Sequence, residues 1–96
     1  MYKVSTKVPG RYARTVKNDI KSKEDAMTCA MGAITAYGHE LAARKMLKGE
    51  PNEGTVIYSE GDVMYLRSQD GKTEYLRAEI TRSNAGVTTE YRREYD

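Results

Sequence analysis

One long helical segment, with a start signal at one end and a stop signal at the other, constrains this fold more than any other feature. Ser22, with Asp25 three residues later, has the pattern of a helix N-cap. Gly49 is a natural helix stop, and Pro51 follows just beyond it. The sequence therefore predicts a helix over 22–48, and only the segments on either side of it remain to form a sheet.

Two stripes run along this helix. The first is apolar and steps by three and four residues, the helical period: Met27, Ala30, Ile34, Tyr37 and Leu41. The second is a ridge of small residues: Cys29, Gly32, Ala33 and Ala36. Such a ridge lets another backbone approach closely. It fits either the chain's own sheet or a helix of a second copy.

Residues 1–18 are predicted to form a β-hairpin, because apolar and polar residues alternate on both sides of a proline–glycine turn. A three-residue loop, 9–11, would set Val4 opposite Val16 and turn Tyr12 toward the core. The apolar side chains then share one face. The other face collects three cations: Lys3, Lys7 and Lys17.

Residues 55–95 are predicted to form a four-stranded antiparallel meander. Its expected turns are Gly61-Asp62, Asp70-Gly71 and the weaker Ala85-Gly86. Pairs counted outward from these turns place opposite charges across from each other three times: Arg67 with Glu74, Glu79 with Arg92, and Arg77 with Glu94. The expected fold is therefore a single α+β domain over 1–96, with an N-terminal hairpin, one long helix and a meander packed on the helix.

The same registers divide the meander into two faces. The face expected to cover the helix carries Val56, Tyr58, Val63, Tyr65, Leu76, Ala78, Ile80, Tyr91 and Tyr95. The other face carries four large apolar side chains among charges: Ile57, Met64, Leu66 and Tyr75. A contiguous patch of this kind indicates an interface, unless lysine and arginine stems or the first hairpin cover it. With Gly32 and Ala36 on the helix, this patch predicts a homo-oligomer, most simply a dimer.

Charge is distributed very unevenly along the chain. Residues 1–23 hold seven Lys or Arg and one Asp, which gives +6, and residues 24–49 balance three acids with three bases. Residues 50–96 hold ten acids and six bases, which gives −4. Such asymmetry points to an anionic partner or to head-to-tail contact between copies.

The residues that usually carry chemistry are scarce. One His and one Cys are too few for a zinc site, and no calcium loop or glycine-rich phosphate loop is present. His39 and Glu40 are adjacent on a helix and so point in different directions, and Cys29 has the setting of a small packing residue. We therefore expect a protein that is not an enzyme and needs no metal or cofactor. The single Cys and the lack of a membrane span or signal peptide predict a cytoplasmic protein without a membrane partner.

Two functions from different classes fit this pattern. The first is a binding protein for an anionic ligand, a nucleotide or nucleic acid, held by the basic N-terminal segment. Its expected ligand-binding residues are Lys3, Lys7, Arg11, Tyr12, Arg14 and Lys17. The second is a protein-interaction module that inhibits or adapts a partner protein by occlusion, because Tyr and Met are enriched at interfaces. Either role has the style of the small accessory proteins of phages and mobile elements.

Overall fold

A five-stranded antiparallel sheet and one helix make up the described part of the chain. The structure is a computed structural model, and it describes residues 1–83. The elements in chain order are β1 (Tyr2–Lys7), β2 (Arg14–Ile20), α1 (Lys23–Lys48), β3 (Thr55–Glu60), β4 (Val63–Ser68) and β5 (Glu74–Arg82). The strand order across the sheet is β2-β1-β5-β4-β3, and α1 packs on one face. The predicted α+β class is confirmed.

The helix begins and ends where its local signals indicate. The Ser22 hydroxyl accepts a hydrogen bond from the backbone N–H of Asp25 at 3.1 Å. At the other end Gly49 adopts a left-handed conformation with φ 71°, and its N–H donates to the carbonyl of Met46 at 3.1 Å. The helix continues unbroken through Gly38, whose open side faces the Leu66 side chain.

The first hairpin and the meander are parts of the same sheet. β1 lies between β2 and β5, with Val4 opposite Ile80 and Ser5 opposite Glu79. This arrangement completely buries Val4. β1 occupies the edge of β5 at which the fourth meander strand was expected. The expected pairs of Glu79 with Arg92 and of Arg77 with Glu94 involve residues outside the described part of the chain. The fourth meander strand and the turn at residues 85 and 86 lie outside the described residues.

A bulge between β4 and β5 reverses the two predicted faces of β3 and β4. The predicted pair of Arg67 with Glu74 is present, but the next pair is Leu66 with Leu76, which leaves Tyr75 as an extra residue. One extra residue on one strand moves the side chains of the paired strand to the opposite face of the sheet. The resulting core is continuous from sheet to helix: Val4, Ile20, Ala26, Ala30, Ile34, Met64, Leu66, Leu76, Ala78 and Ile80.

The prediction that Ile57, Met64, Leu66 and Tyr75 lie on the uncovered face is therefore wrong. Met64 is 5 % exposed and Leu66 is 2 % exposed, so both belong to the core. Tyr75 packs against that core, and the Lys45 ammonium lies 5.5 Å from its ring centroid. Ile57 pairs with Leu66 on the helix side but remains 42 % exposed, because β3 is an edge strand.

We call the face that α1 leaves uncovered the outer face. Side chains alternate between the two sides of a strand, so the neighbours of the buried residues point outward. Four strands contribute most of its large and charged side chains. They are Lys3 and Lys7 from β1, Tyr58 from β3, Tyr65 and Arg67 from β4, and Arg77 and Glu79 from β5.

The hairpin keeps its predicted register only near its loop. Ser5 lies opposite Thr15 as expected, but two irregularities then shift the strands, so Val4 faces Lys17. Val16 is left largely exposed as a result, and Ile20 enters the core in its place. The connecting segment is also longer than predicted, and it covers residues 8–13 rather than 9–11.

Candidate functional site

A concave site lies between the first hairpin and the helix. We call it the hairpin–helix cleft, and its volume is about 410 Å³. Its apolar lining comes from Val8 and Val16 of the hairpin, Ala33 of α1 and Leu76 of β5. A cleft of this size is within the range that holds small organic ligands.

Three arginines line the hairpin–helix cleft. Arg11 comes from the β1–β2 loop, Arg14 from the start of β2, and Arg44 from the last turns of α1. Within residues 1–83 neither Arg11 nor Arg14 has an ion-pair partner. Two unpaired guanidinium groups at one cleft repel each other, and an anion bound between them would remove that repulsion.

The helix contributes a row of functional groups to this cleft. Tyr37, Glu40 and Arg44 are spaced by three and four residues, so they share one side of α1. Arg44 forms an ion pair with Glu40 and lies 6.0 Å from the centroid of the Tyr37 ring. Sequence reasoning assigned Tyr37 to the apolar stripe and did not select Arg44. The helical spacing of these three residues was the signal that could have identified them.

Tyr12 lies at the mouth of the cleft rather than in the core. Its side chain is 94 % exposed, so the prediction that it faces inward is wrong. The cause is the longer β1–β2 loop. The N–H of Arg11 donates to the Val8 carbonyl at 2.9 Å, and this closes a turn before Tyr12 can pair with β1. A fully accessible ring is available for stacking on a planar ligand.

The six predicted ligand-binding residues are divided among three surfaces. Arg11, Tyr12 and Arg14 meet at the hairpin–helix cleft. Lys3 and Lys7 lie on the outer face of the sheet. The β1–β2 bulge instead turns Lys17 toward a hollow beside the N-terminal half of α1, which it shares with Asp19, Lys21 and Asp25.

The small-residue ridge of α1 is partly open. Gly32 and Ala36 are exposed, and they line a shallow groove with Met27, Met31 and His39. We call this the methionine groove. Met64 of β4 also lines it. The two interface residues predicted on the helix are therefore accessible to a partner.

Two displaced pKa values belong to structural contacts outside the cleft. The Asp62 carboxylate accepts a hydrogen bond from Lys23 at 2.8 Å, and this contact raises the pKa of Lys23. The Ser68 hydroxyl donates to Asp70 at 2.7 Å and the Lys72 N–H donates at 3.0 Å, and together they lower the pKa of Asp70. The first contact ties the β3–β4 turn to the start of α1, and the second orders the β4–β5 loop.

No group of three or more His, Cys, Asp or Glu side chains in residues 1–83 is placed to hold a metal ion. No helix in residues 1–83 combines the length and the apolar character that crossing a bilayer requires.

Comparisons with family models, with curated proteins and with solved structures find no match to this chain. Function is therefore argued from the geometry of the surfaces alone.

Proposed function

We propose that the protein is a non-enzymatic cytoplasmic binding protein that holds a nucleotide in the hairpin–helix cleft. The observation that carries this proposal is the convergence of Arg11 and Arg14, both without an ion-pair partner in residues 1–83, on one cleft. Arginine is well suited to phosphate, because its planar guanidinium presents paired donors. The basic N-terminal segment supplies both residues.

The rest of the cleft fits the base and sugar of such a ligand. Tyr12 and Tyr37 offer aromatic rings, and Val8 and Leu76 offer an apolar surface. Inorganic phosphate alone would use only the cations. A nucleoside phosphate would also use the rings, and for this reason we propose a nucleotide rather than a simple anion.

Isothermal titration calorimetry with a panel of nucleoside mono- and triphosphates tests the proposal. The informative variant is the double change Arg11→Gln and Arg14→Gln. Its matched control is Lys48→Gln and Lys72→Gln, which removes the same charge from exposed positions outside the cleft. Hydrogen bonds to charged groups contribute about 1.5–3 kcal/mol each, so the double variant should bind at least tenfold more weakly.

The control variant should bind nearly as the unmodified protein does. Tyr12→Ala should weaken nucleotide binding but leave any binding of inorganic phosphate unchanged. The proposal is wrong if no nucleotide binds at millimolar concentration, or if the arginine double variant and the lysine control lose affinity equally.

A second candidate, a module that occludes a partner protein or a second copy, is favoured by the methionine groove. Met27 and Met31 are both exposed large apolar side chains on one side of α1, beside Gly32. Methionine is enriched at interfaces because its flexible side chain adapts to the partner. In this hypothesis the same helix that covers the sheet also presents the contact surface.

A further inference from the structure

The outer face carries one continuous row of side chains across four strands. Lys7 of β1 lies opposite Arg77 of β5, Arg77 lies opposite Tyr65 of β4, and Tyr65 lies opposite Tyr58 of β3. Neighbouring strands are about 4.8 Å apart, so the row spans about 14 Å. Two cations and two aromatic rings therefore stand in line on the uncovered side of the sheet.

A third cation joins this row. The Arg67 guanidinium carbon lies 4.8 Å from the centroid of the Tyr58 ring and 4.7 Å from that of Tyr65. The Arg77 guanidinium carbon lies 5.1 Å from the Tyr65 centroid, and the two rings are 6.0 Å apart. Guanidinium groups and rings thus alternate, and we call Lys7, Tyr58, Tyr65, Arg67 and Arg77 the outer-face row.

Core packing does not account for these rings. Tyr58 is 44 % exposed although it lies in a strand, while the core uses the other side of the same strands. Within residues 1–83, Lys7 and Arg67 form no ion pair. Arg77 has one exposed contact with Glu74 at 3.5 Å, a weak pair that a stronger anion can displace.

Acidic residues flank the row on both sides. Glu79 and Glu60 are in the next row, which runs through Ser5, Glu79, Val63 and Glu60 toward the β3–β4 turn. On the other side, Glu74 lies opposite Arg67, and the β4–β5 loop beyond it carries both Asp70 and Lys72. An anionic chain would therefore follow the row itself, where Lys7, Arg67 and Arg77 lie.

We propose that the outer-face row binds single-stranded nucleic acid. Tyr58 and Tyr65 stack on unpaired bases, and Lys7, Arg67 and Arg77 contact the phosphates. Bases stack on aromatic rings regardless of sequence, and in sheets that bind RNA the aromatic residues of the open face commonly hold two or three bases. The bases of a duplex are paired and stacked, so they cannot stack on these rings. An acidic peptide would pair with the cations but has no bases to stack on the tyrosines. This surface is separate from the hairpin–helix cleft.

Fluorescence anisotropy with a short labelled oligothymidylate tests this proposal. Tyr58→Leu keeps an apolar side chain but removes the ring, and it should weaken binding about tenfold. Arg67→Gln should reduce the slope of log affinity against log salt by about 0.7, the value for one phosphate contact on a single strand. A duplex of the same length should bind more weakly than the single strand.

Matched controls separate this surface from the cleft. Arg11→Gln with Arg14→Gln should leave oligonucleotide binding within twofold of the unmodified protein, and Lys3→Gln, outside the row, should have a similarly small effect. Circular dichroism establishes that every variant is folded. The proposal is overturned if the unmodified protein does not bind the oligonucleotide, or if Tyr58→Leu and Arg67→Gln bind as well as it does. Equal affinity for the duplex or for polyglutamate, or a dependence on Arg11 and Arg14 instead of the row, also overturns it.

Discussion

Leu66 lies directly opposite Leu76 in the sheet, and both side chains are buried beneath α1. One position further along, Arg67 faces Glu74, so the register shifts by one residue at Tyr75. A shift of one residue reverses the side to which the paired side chains point. The position of this bulge therefore decides which face of β3 and β4 packs against α1.

Leu66→Ala should lower the free energy of unfolding by about 2–5 kcal/mol, because it leaves a cavity in a closely packed core. Urea denaturation followed by circular dichroism measures this loss. Ile57→Ala is the matched control, since Ile57 lies opposite Leu66 on the same side of the sheet but is largely exposed. Its loss should be clearly smaller. Equal losses would contradict the register described here.

Gly38→Ala should raise the free energy of unfolding by about 0.5–1 kcal/mol, because alanine favours a helix more than glycine does. An added Cβ would lie 3.8 Å from the Leu66 methyl groups, which is ordinary contact. Gly49→Ala should have the opposite effect, since its φ of 71° is unfavourable for alanine. Thermal unfolding of both variants checks these signs. A destabilised Gly38→Ala variant would mean that α1 packs closer to β4.

Asp70 should contribute to stability only where it is ionised. Its pKa is lowered from 3.8, first by the Ser68 hydroxyl and then by the Lys72 N–H, so folding favours the charged form. That contribution is complete above the unfolded pKa and is lost as pH falls through the folded value. Asp70→Ala should therefore melt slightly below the unmodified protein at neutral pH, and the difference should vanish in strong acid. A difference that persisted unchanged into strong acid would contradict this role for Asp70.

Met31→Glu should abolish self-association if the methionine groove joins two copies, because a carboxylate in an apolar contact loses its hydration without gaining a partner. Sedimentation velocity at micromolar concentration gives the mass before and after the change. Met46→Glu is the control, since Met46 is exposed on α1 but does not line the groove. A mass of one chain for the unmodified protein would count against any dimer.

Local signals predicted the helix and the turns well. The Ser22 cap, the stop at Gly49 and the turn at Gly61 depend on residues within a few positions of each other, and all three are present. The pairing of Tyr58 with Tyr65 follows from that turn and is also confirmed. The long-range position of β1 beside β5 has no such local signal, because it depends on where Val4 is best buried.

The faces of the sheet could not be predicted from turn residues alone. A bulge at Tyr75 leaves the Arg67–Glu74 pair intact but shifts the pairing of the residues beyond it by one position. The charge pair near the turn therefore could not indicate which face of β4 is buried. The choice between the two registers is made by packing: Met64 and Leu66 fill the space beneath α1, whereas tyrosine at these positions would bury a hydroxyl group. The charge pattern selected Arg11, Tyr12 and Arg14 as ligand-binding residues, but it did not predict the cleft that they line with α1. Arg44 was missed because it comes from a distant element.

The two edges of the sheet differ in a way that would govern any growth of this protein into larger assemblies. β2 is irregular and carries Arg14 and Lys17, whereas β3 is regular and presents Val56, Ile57 and Tyr58. Among residues 1–83, β3 therefore forms the edge to which another strand adds most readily. If two copies join through β3, the ten strands that residues 1–83 of the two copies supply form one sheet with an irregular β2 at each edge. Such pairing would stop at a dimer rather than extend into a fibre.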